Sequence, residues 1–417
     1  MSRQHSDTRT ATTVPDRIKN YENPYAIIIG LDSMQGLQVA RILARHEVPV
    51  IAIASNPDYY ACRTNVCEHI LFADTGSDEL IELLLALGPQ LVQKAVLYPC
   101  HDKSVLNVSE YREQLAPWYH LILPEHEVVE MLMDKVKFYT YAQAAGLPIP
   151  ETYFLYSRTD AEAAARELPY PCALKPPYRP HAWTRHTKQK AFKVANAEEL
   201  LALYDHYHRW TDVLIAQRWL DGPESNLYSC NCYFDKNRQP VVTFVARKLR
   251  QWPPVTGQSC LGEEVRNDFV LQETLRLFCS VNYRGLGYVE MKCDDRTGRY
   301  YIVEPNVGRP TGRSVIAEAG GVELHVAMYC DALDRPLPPN LEQKYEGVKW
   351  IHLLRDFQSA LYHWRHGELT LKEWWQSVRG RKAYAVFSWR DPGPFLRALQ
   401  MGIPVLLSSR ERGEEDY

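Results

Sequence analysis

Hydrophobic and polar positions in the first third of the chain alternate between the pattern of buried strands and that of amphipathic helices. Short apolar runs predict strands at 25–30, 48–54 and 95–98. Helical periodicity in between predicts helices at 35–46, 79–87 and 103–115. This order predicts a parallel sheet covered on both faces. The turn from Gly30 to Gly36 either directs backbone N–H groups at an anion or is only a tight turn.

The middle of the chain contains a smaller α+β unit and a larger unit rich in strands. A helix is predicted at 128–145, with Val129, Leu132, Met133 and Val136 on one face, and Gly146 ends it. The smaller unit has predicted strands at 152–156, 172–175 and 191–194 and helices at 160–167 and 197–207. The larger unit has predicted strands at 213–219, 227–234, 240–246, 287–292 and 299–304 and helices at 267–281 and 313–330.

The resulting fold class is α/β with several units. We expect a flexible leader at 1–24, an α/β domain at 25–125, a small subdomain at 126–210, a larger subdomain at 211–335 and a mainly helical, Trp-rich C-terminal extension at 336–417. The extension is expected to pack as a small helical cap; binding a partner is the alternative.

Composition excludes several classes of function. The 417 residues are 24% charged with a net charge of −3. The chain therefore lacks the excess of basic residues that is typical of proteins that bind nucleic acid or an anionic membrane. The apolar runs are far shorter than the ~20 residues of a membrane span. The ten cysteines form no C-x-x-C pair, and the polar start lacks the apolar core of a signal peptide, so we expect reduced thiols in a cytoplasmic protein.

Two strand-like runs end in carboxylates, and they are the most informative chemistry in the chain. Glu304 and Asn306 are two residues apart on one strand and therefore share a face, while Glu290 ends the strand before it. Carboxylate and amide oxygens are hard ligands that suit Mg²⁺ bridging nucleotide phosphates. The sequence therefore predicts a nucleotide-metal site.

Two lysines and a linker extend this site. Lys175 ends an apolar strand-like run, and burying its ammonium there costs free energy unless an anion pairs with it. Lys135 lies on the predicted helix that Gly146 ends. A strand then leads through Gln217-Arg-Trp-Leu220 to Gly222-Pro-Glu224. Backbone groups of such a linker can hold an adenine, and a carboxylate after it can accept hydrogen bonds from ribose hydroxyls.

In this order, the lysines, linker and carboxylates resemble the ATP-grasp superfamily over residues 25–335. The linker is most similar to that of D-alanine–D-alanine ligases. The string 247–254, Arg-Lys-Leu-Arg-Gln-Trp-Pro-Pro, is similar to one in carboxylate–amine ligases near D-aspartate ligase. The resemblance implies the ATP-grasp fold with an N-terminal Rossmann-like domain at 25–125.

The resemblance also implies a role for each residue. Lys135 and Lys175 would contact the phosphates of ATP, Glu224 the ribose, and the adenine would lie against the linker residues Gln217, Arg218, Trp219 and Leu220. Mg²⁺, or Mn²⁺, would be held by Glu290, Glu304 and Asn306. Cationic donors for the reacting centre would come from Arg250, Arg309 and Arg313.

The activity that the resemblance implies is ATP-dependent joining of a small-molecule carboxylate to an amine through an acyl-phosphate, with ADP released. A homodimer is a further expectation. The alternatives are another acyl-phosphate enzyme such as a carboxylase, or an ATP-binding regulatory protein without catalysis. The second alternative is favoured by the segment 176–190, which has no glycine where the superfamily has a Gly-rich loop.

Overall fold

The computed structural model describes residue 15, residues 18–254 and residues 257–408, with side chains described as far as residue 402. The predicted leader at 1–24 lies outside these residues except for 15 and 18–24.

The N-terminal domain is built on a sheet of five parallel strands. The strands are β1 (Ala26–Ile29), β2 (Val50–Ala54), β3 (His69–Phe72), β4 (Ala95–Pro99) and β5 (Tyr119–His120). The helices are α1 (Met34–Arg45), α2 (Asp78–Leu87), α3 (Asp102–Glu110) and α4 (Arg112–Leu115). The order in the sheet is β3-β2-β1-β4-β5. Because β1 and β2 are buried at every residue, helices cover both faces, and the predicted parallel sheet is confirmed.

The single helix predicted at 128–145 is wrong in one respect, because it is two helices. They are α5 (His126–Met133) and α6 (Lys135–Ala144). Asp134 between them has extended backbone angles, and its carboxylate accepts a hydrogen bond from the N–H of Lys137 at 2.9 Å. This N-cap starts a new helix at Lys135.

The small subdomain has a four-stranded antiparallel sheet with helices on it. Its elements are β6 (Thr152–Leu155), α7 (Arg158–Glu167), β7 (Cys172–Lys175), α8 (His181–His186), β8 (Phe192–Val194), α9 (Ala197–Tyr207) and β9 (Leu214–Arg218). The order is β6-β9-β7-β8. Because β9 pairs with both β6 and β7, it belongs to this sheet although it lies beyond residue 210.

The large subdomain is organised around a seven-stranded sheet. Its elements are β10 (Leu227–Phe234), β11 (Pro240–Trp252), β12 (Gln258–Glu264), α10 (Asp268–Ser280), β13 (Gly285–Cys293), β14 (Tyr300–Val307), α11 (Val315–Ala319) and α12 (Leu324–Ala332). Three details differ from the sequence prediction: β11 continues well past residue 246, β12 was missed, and the helix predicted at 313–330 is two helices.

The C-terminal extension completes this sheet, so it is more than a helical cap. It consists of β15 (Lys349–Ile351), α13 (Leu353–Arg365), α14 (Leu371–Val378), β16 (Lys382–Tyr384) and α15 (Gly393–Ser408). The full strand order is β14-β13-β10-β11-β12-β15-β16. Trp350 on β15 is fully buried, and Asp391 forms an ion pair with Arg41 of α1 at 2.8 Å. The extension therefore belongs to the core and is tied to the N-terminal domain.

Membrane spans and cysteines can be assessed across the described residues. In the described ranges, no helix has both the length and the apolar character needed to cross a membrane. All ten cysteines are free thiols; five are buried, and Cys279 on α10 is exposed.

Candidate active site

Strands β13 and β14 bring the three predicted metal ligands to one face of the large sheet. Their antiparallel register places Glu290 opposite Glu304 and Tyr288 opposite Asn306. Side chains opposite each other in such a pair have Cβ atoms about 4.5–5.5 Å apart. Burial, followed by the nearby charge of Glu290, raises the pKa of Glu304. Two neighbouring carboxylates in a buried place are stabilised by a cation, so this donor set fits a hard divalent ion.

The third donor differs from the other two in its present contacts. Arg309 donates to Oδ1 of Asn306 at 2.5 Å and to the hydroxyl of Tyr288 at 2.8 Å, and it forms an ion pair with Asp102. Nδ2 of Asn306 is buried and has no hydrogen-bond partner among the described residues. The amide oxygen of Asn306 is therefore held by Arg309 in this structure. In the described chain, no group of three or more His, Cys, Asp or Glu side chains is arranged to hold a metal.

Two cavities meet at this point. One, of about 210 Å³, is lined by residues that include Lys135, Tyr139, Glu304 and Asn306. The other, of about 470 Å³, lies at the carboxyl ends of the parallel strands. Its lining includes Gln35, Ser55, Asp74, His101 and Lys103. Asp102 and Arg309 line both cavities, so their ion pair stands between the metal-ligand row and the N-terminal domain.

The turn after β1 lies against the wall of the cavity of about 470 Å³. Gly30 has a φ of +96°, and a Cβ atom there would lie 2.6 Å from Nδ1 of His101. The hydroxyl of Ser33 accepts from the N–H of Gly36 at 3.0 Å and caps α1. Burial lowers the pKa of His101. The glycine is therefore needed for the close approach of a histidine that lines the cavity.

Lys175 lies at the end of β7, where its hydrogen-bond and ring partners are neutral and Glu304 is a nearby negative charge. Its ammonium donates to Oε1 of Gln217 at 3.0 Å and lies 5.7 Å from the ring centre of Tyr139. Nε2 of Gln217 in turn donates to Thr152 at 2.7 Å. Burial lowers the pKa of Lys175. A cation held by an amide and a ring is placed to receive an anion.

The linker after β9 is firmly held. Arg218 pairs with the buried Asp294 at 3.0 Å, the ammonium of Lys193 lies over the ring of Trp219, and the carbonyl of Leu220 accepts from Lys292 at 2.8 Å. Beyond the linker, Oε2 of Glu224 accepts from the N–H of Gln251 on β11 at 2.8 Å. These contacts connect the predicted adenine residues to the sheets of both subdomains, and they connect the predicted ribose residue Glu224 to β11.

The three predicted arginines lie in different places. Arg309 is at the metal-ligand row, as described above. Arg313 is buried, donates at 2.9 Å to the hydroxyls of Ser229 and Ser259, and Ser229 faces Glu290 across the sheet. Arg250 instead binds Asp356 and Ser377 of the C-terminal extension. In this structure its guanidinium is therefore directed to the extension, and its assignment as a donor at the reacting centre stays a prediction.

The glycine-free segment 176–190 is not an open loop. It contains α8, and Trp183 of that helix is fully buried against the rings of Phe192 and Tyr207. The indole N–H also donates to the carbonyl of Gln189 at 3.0 Å. The segment is thereby folded into the small subdomain.

Sequence reasoning missed two tyrosines at this site, Tyr139 and Tyr288. Tyr288 precedes Glu290 by two residues on one strand, so the period of a strand could have placed it on the same face. Tyr139 lies one turn after Lys135 on α6, but the single long helix assumed for 128–145 concealed where that turn begins.

Sequence comparison finds distant relatives, while no protein-family model matches the chain. The chain is 24% identical over 247 residues to the D-aspartate ligase of Enterococcus faecium, covering 56% of this chain and 58% of the relative. It is 21% identical over 189 residues to D-alanine–D-alanine ligase B of Pseudomonas putida, covering 42% and 54%. The chain thus matches less than two thirds of the length of either relative.

Solved structures match more of the chain. N5-carboxyaminoimidazole synthetase of Staphylococcus aureus aligns with a TM-score of 0.60 at 15% identity, over 78% of this chain and 81% of that one. The biotin carboxylase of Campylobacter jejuni, solved as a β-γ-ATP complex, aligns with a TM-score of 0.59 at 16% identity, over 76% of this chain and 72% of that one. At these identities the likeness concerns the fold.

Proposed function

We propose that this chain, which has the ATP-grasp fold, is an ADP-forming ligase that uses ATP and Mg²⁺ to join a small-molecule carboxylate to an amine. The observation that carries the proposal is the row of Glu290, Glu304 and Asn306, flanked by Lys135 in the adjoining cavity. The sequence similarity to D-aspartate and D-alanine–D-alanine ligases supports the same activity.

The proposed reaction has two steps. A carboxylate oxygen of the first substrate attacks the γ-phosphorus of ATP, the bond to the bridging oxygen breaks, and ADP leaves. The amine nitrogen then attacks the acyl carbon, the bond to the phosphate oxygen breaks, and the amine loses a proton as phosphate leaves. Phosphoryl transfer of this kind depends on positioning and on charge neutralisation more than on a protein nucleophile.

Each residue of the site has a proposed task in binding or orientation. Lys135 and Lys175 bind phosphate oxygens, residues 217–220 line the adenine, and Glu224 accepts from the ribose. Glu290, Glu304 and Asn306 would hold Mg²⁺ (or Mn²⁺), which when bound neutralises phosphate charge. Arg309 and Arg313 orient anionic groups of the substrates. The folded segment 176–190, with its many cationic side chains, covers the phosphates without a Gly-rich loop.

We place the carboxylate and amine substrates in the cavity of about 470 Å³ beside Asp102 and Arg309. Its wall carries both signs of charge, negative from Asp74 and Asp102 and positive from Lys103 and Arg309. Such a wall suits a substrate with an ammonium and a carboxylate, such as an amino acid.

The test is release of ADP and phosphate from Mg-ATP with a pooled panel of amino acids, other carboxylates and amines. We expect release that requires both a carboxylate and an amine. It should fall at least about a hundredfold in Glu304→Ala and Lys175→Ala, since even outer partners of metal ligands cost about 10–100-fold. The exposed Glu82→Ala on α2 is the control and should match the wild type. A wild-type protein that does not bind ATP would contradict the proposal.

A carboxylase is the second candidate, favoured by the fold shared with biotin carboxylase. In the same assay, release that requires bicarbonate in place of an organic carboxylate, with the carboxyl group recovered on an acceptor from the panel, would select it. ATP binding without any release would select a regulatory protein.

A further inference from the structure

The C-terminal extension contacts β11 through a buried charged cluster. Nε of Arg250 donates to Oδ1 of Asp356 at 2.9 Å, and Nη1 donates to the hydroxyl of Ser377 at 2.7 Å. The indole N–H of Trp374 donates to the other oxygen of Asp356 at 3.1 Å. Asp356 is only 1% exposed. Removing either charge would leave the other buried and unpaired, so this contact fixes the position of Arg250.

The residue after Arg250 belongs to the nucleotide site. The backbone N–H of Gln251 donates to Oε2 of Glu224 at 2.8 Å, and its side-chain oxygen accepts from Lys248 at 2.8 Å. Because Arg250 and Gln251 are adjacent along β11, a movement of the Arg250 backbone also moves the N–H that orients Glu224.

The extension holds the rest of this strand end as well. The ring of Tyr362 on α13 packs edge-on against Trp252, with centroids 6.1 Å apart. Arg355 of the same helix donates to Oε1 of Gln258 on β12 at 2.6 Å. Helix α13 of the extension therefore contacts both β11 and β12, on either side of the connection between them.

We infer that Asp356 is a positioning residue for the nucleotide, acting through Arg250 and the end of β11 to orient Glu224. The inference rests on the proposed function, in which Glu224 binds the ribose. It gives the extension a task in ATP binding in addition to its place in the core.

The chain contains a matched control for this inference. Asp391 also lies in the extension, is 2% exposed, and pairs with a part-buried arginine, Arg41. That pair ties the extension to α1 and has no contact with Glu224 or β11 among the described interactions. Asp356→Asn and Asp391→Asn therefore remove the same kind of buried ion pair, but only the first loosens the end of β11.

The experiment is calorimetric titration of the full chain with Mg-ATP and, separately, with tripolyphosphate. We expect Asp356→Asn to weaken ATP binding about tenfold and Asp391→Asn by less than about twofold. Tripolyphosphate has no ribose, so its affinity should be the same in the wild type and in Asp356→Asn. In the background of Glu224→Gln, Asp356→Asn should cause no further loss, because the two residues act in one chain of contacts.

Several results would overturn the inference. Equal losses in Asp356→Asn and Asp391→Asn would mean general loosening, and a parallel loss for tripolyphosphate would exclude action through the ribose. Should Asp356→Asn fail to fold, Trp374→Phe keeps both charges and removes one hydrogen bond to Asp356; unchanged ATP affinity in that variant and in Ser377→Ala would count against the inference. A wild type that does not bind ATP overturns the proposed function together with the inference, whereas a binding wild type with unaffected Asp356→Asn overturns the inference alone.

Discussion

At the scale of single residues, Lys175 shows how the site is prepared for an anion. Its ammonium is half-buried and rests on an amide oxygen and a tyrosine ring. Burial lowers its pKa, so the folded protein holds this proton less firmly than the unfolded chain does. Stability of the nucleotide-free protein therefore rises with pH as the pH passes from the lowered pKa towards the ordinary lysine value, and below that window the buried charge is a cost.

Lys175→Met is accordingly expected to raise the melting temperature of the nucleotide-free protein at neutral pH. The same variant should bind ATP at least about tenfold more weakly, because the phosphate partner is lost. Thermal melts with and without Mg-ATP measure both effects, and Lys175→Arg, which keeps the charge, is the control. A melting temperature below that of the wild type would contradict this account of the charge.

Site residues could be predicted from the sequence where metal-ligand side chains follow the two-residue alternation of a strand. Glu290, Glu304 and Asn306 could be placed on one face because strand alternation is a local rule. The partner of Arg250 could not be predicted, since Asp356 is 106 residues away and only the tertiary fold brings them together.

At the scale of elements, α8 turns a cationic segment without glycine into an ordered part of the small subdomain. Its N-terminal neighbour Pro180 begins the helix, and Trp183 buries its whole side chain one turn later. The aromatic cluster with Phe192 and Tyr207 then fixes the helix on the sheet.

Trp183→Ala is expected to destabilise the protein by about 3–5 kcal/mol, the usual effect of truncating a buried tryptophan. Trp389→Ala, at a side chain that is 86% exposed, should change stability by no more than about 0.5 kcal/mol. Urea unfolding followed by circular dichroism compares the two. Similar midpoints for both variants would show that α8 is not anchored as described.

Element boundaries were predicted well where a turn residue interrupts the pattern and poorly where it does not. The apolar stripe continues from Val129 across Asp134 to Val136, so periodicity alone could not divide α5 from α6. The cap formed by Asp134 decides that boundary. Strands β15 and β16 have three residues each; β15 forms on the edge of β12, and β16 then pairs with β15.

At the scale of the whole molecule, the ATP-grasp fold predicted from sequence is confirmed by the solved structures that align with it. The extension was predicted as a cap, but it buries Trp350 and supplies backbone N–H groups of Tyr345 and Val348 to the buried Glu264. The extension therefore shares a sheet and a buried core with the large subdomain.

A chain ended after residue 340 is expected not to fold cooperatively. Loss of Trp350 alone would cost about 3–5 kcal/mol, out of a total stability of about 5–15 kcal/mol for a typical domain. Differential scanning calorimetry should show no sharp transition. Full-length Trp375→Ala, changed at an exposed side chain of α14, should melt like the wild type. A sharp transition in the shortened chain would show that the extension is dispensable.

The distribution of thiols has a practical consequence. Burial raises the pKa of Cys172 and Cys230 to about 12, so neither offers a reactive thiolate at neutral pH. Cys279 is the exposed thiol, and it lies on α10, where Tyr141 of α6 binds the adjacent Ser280 at 2.7 Å. A maleimide dye will therefore label the native protein at α10 first. Together with a second dye at a site introduced in the small subdomain, it gives a fluorescence reporter of the distance between the two subdomains.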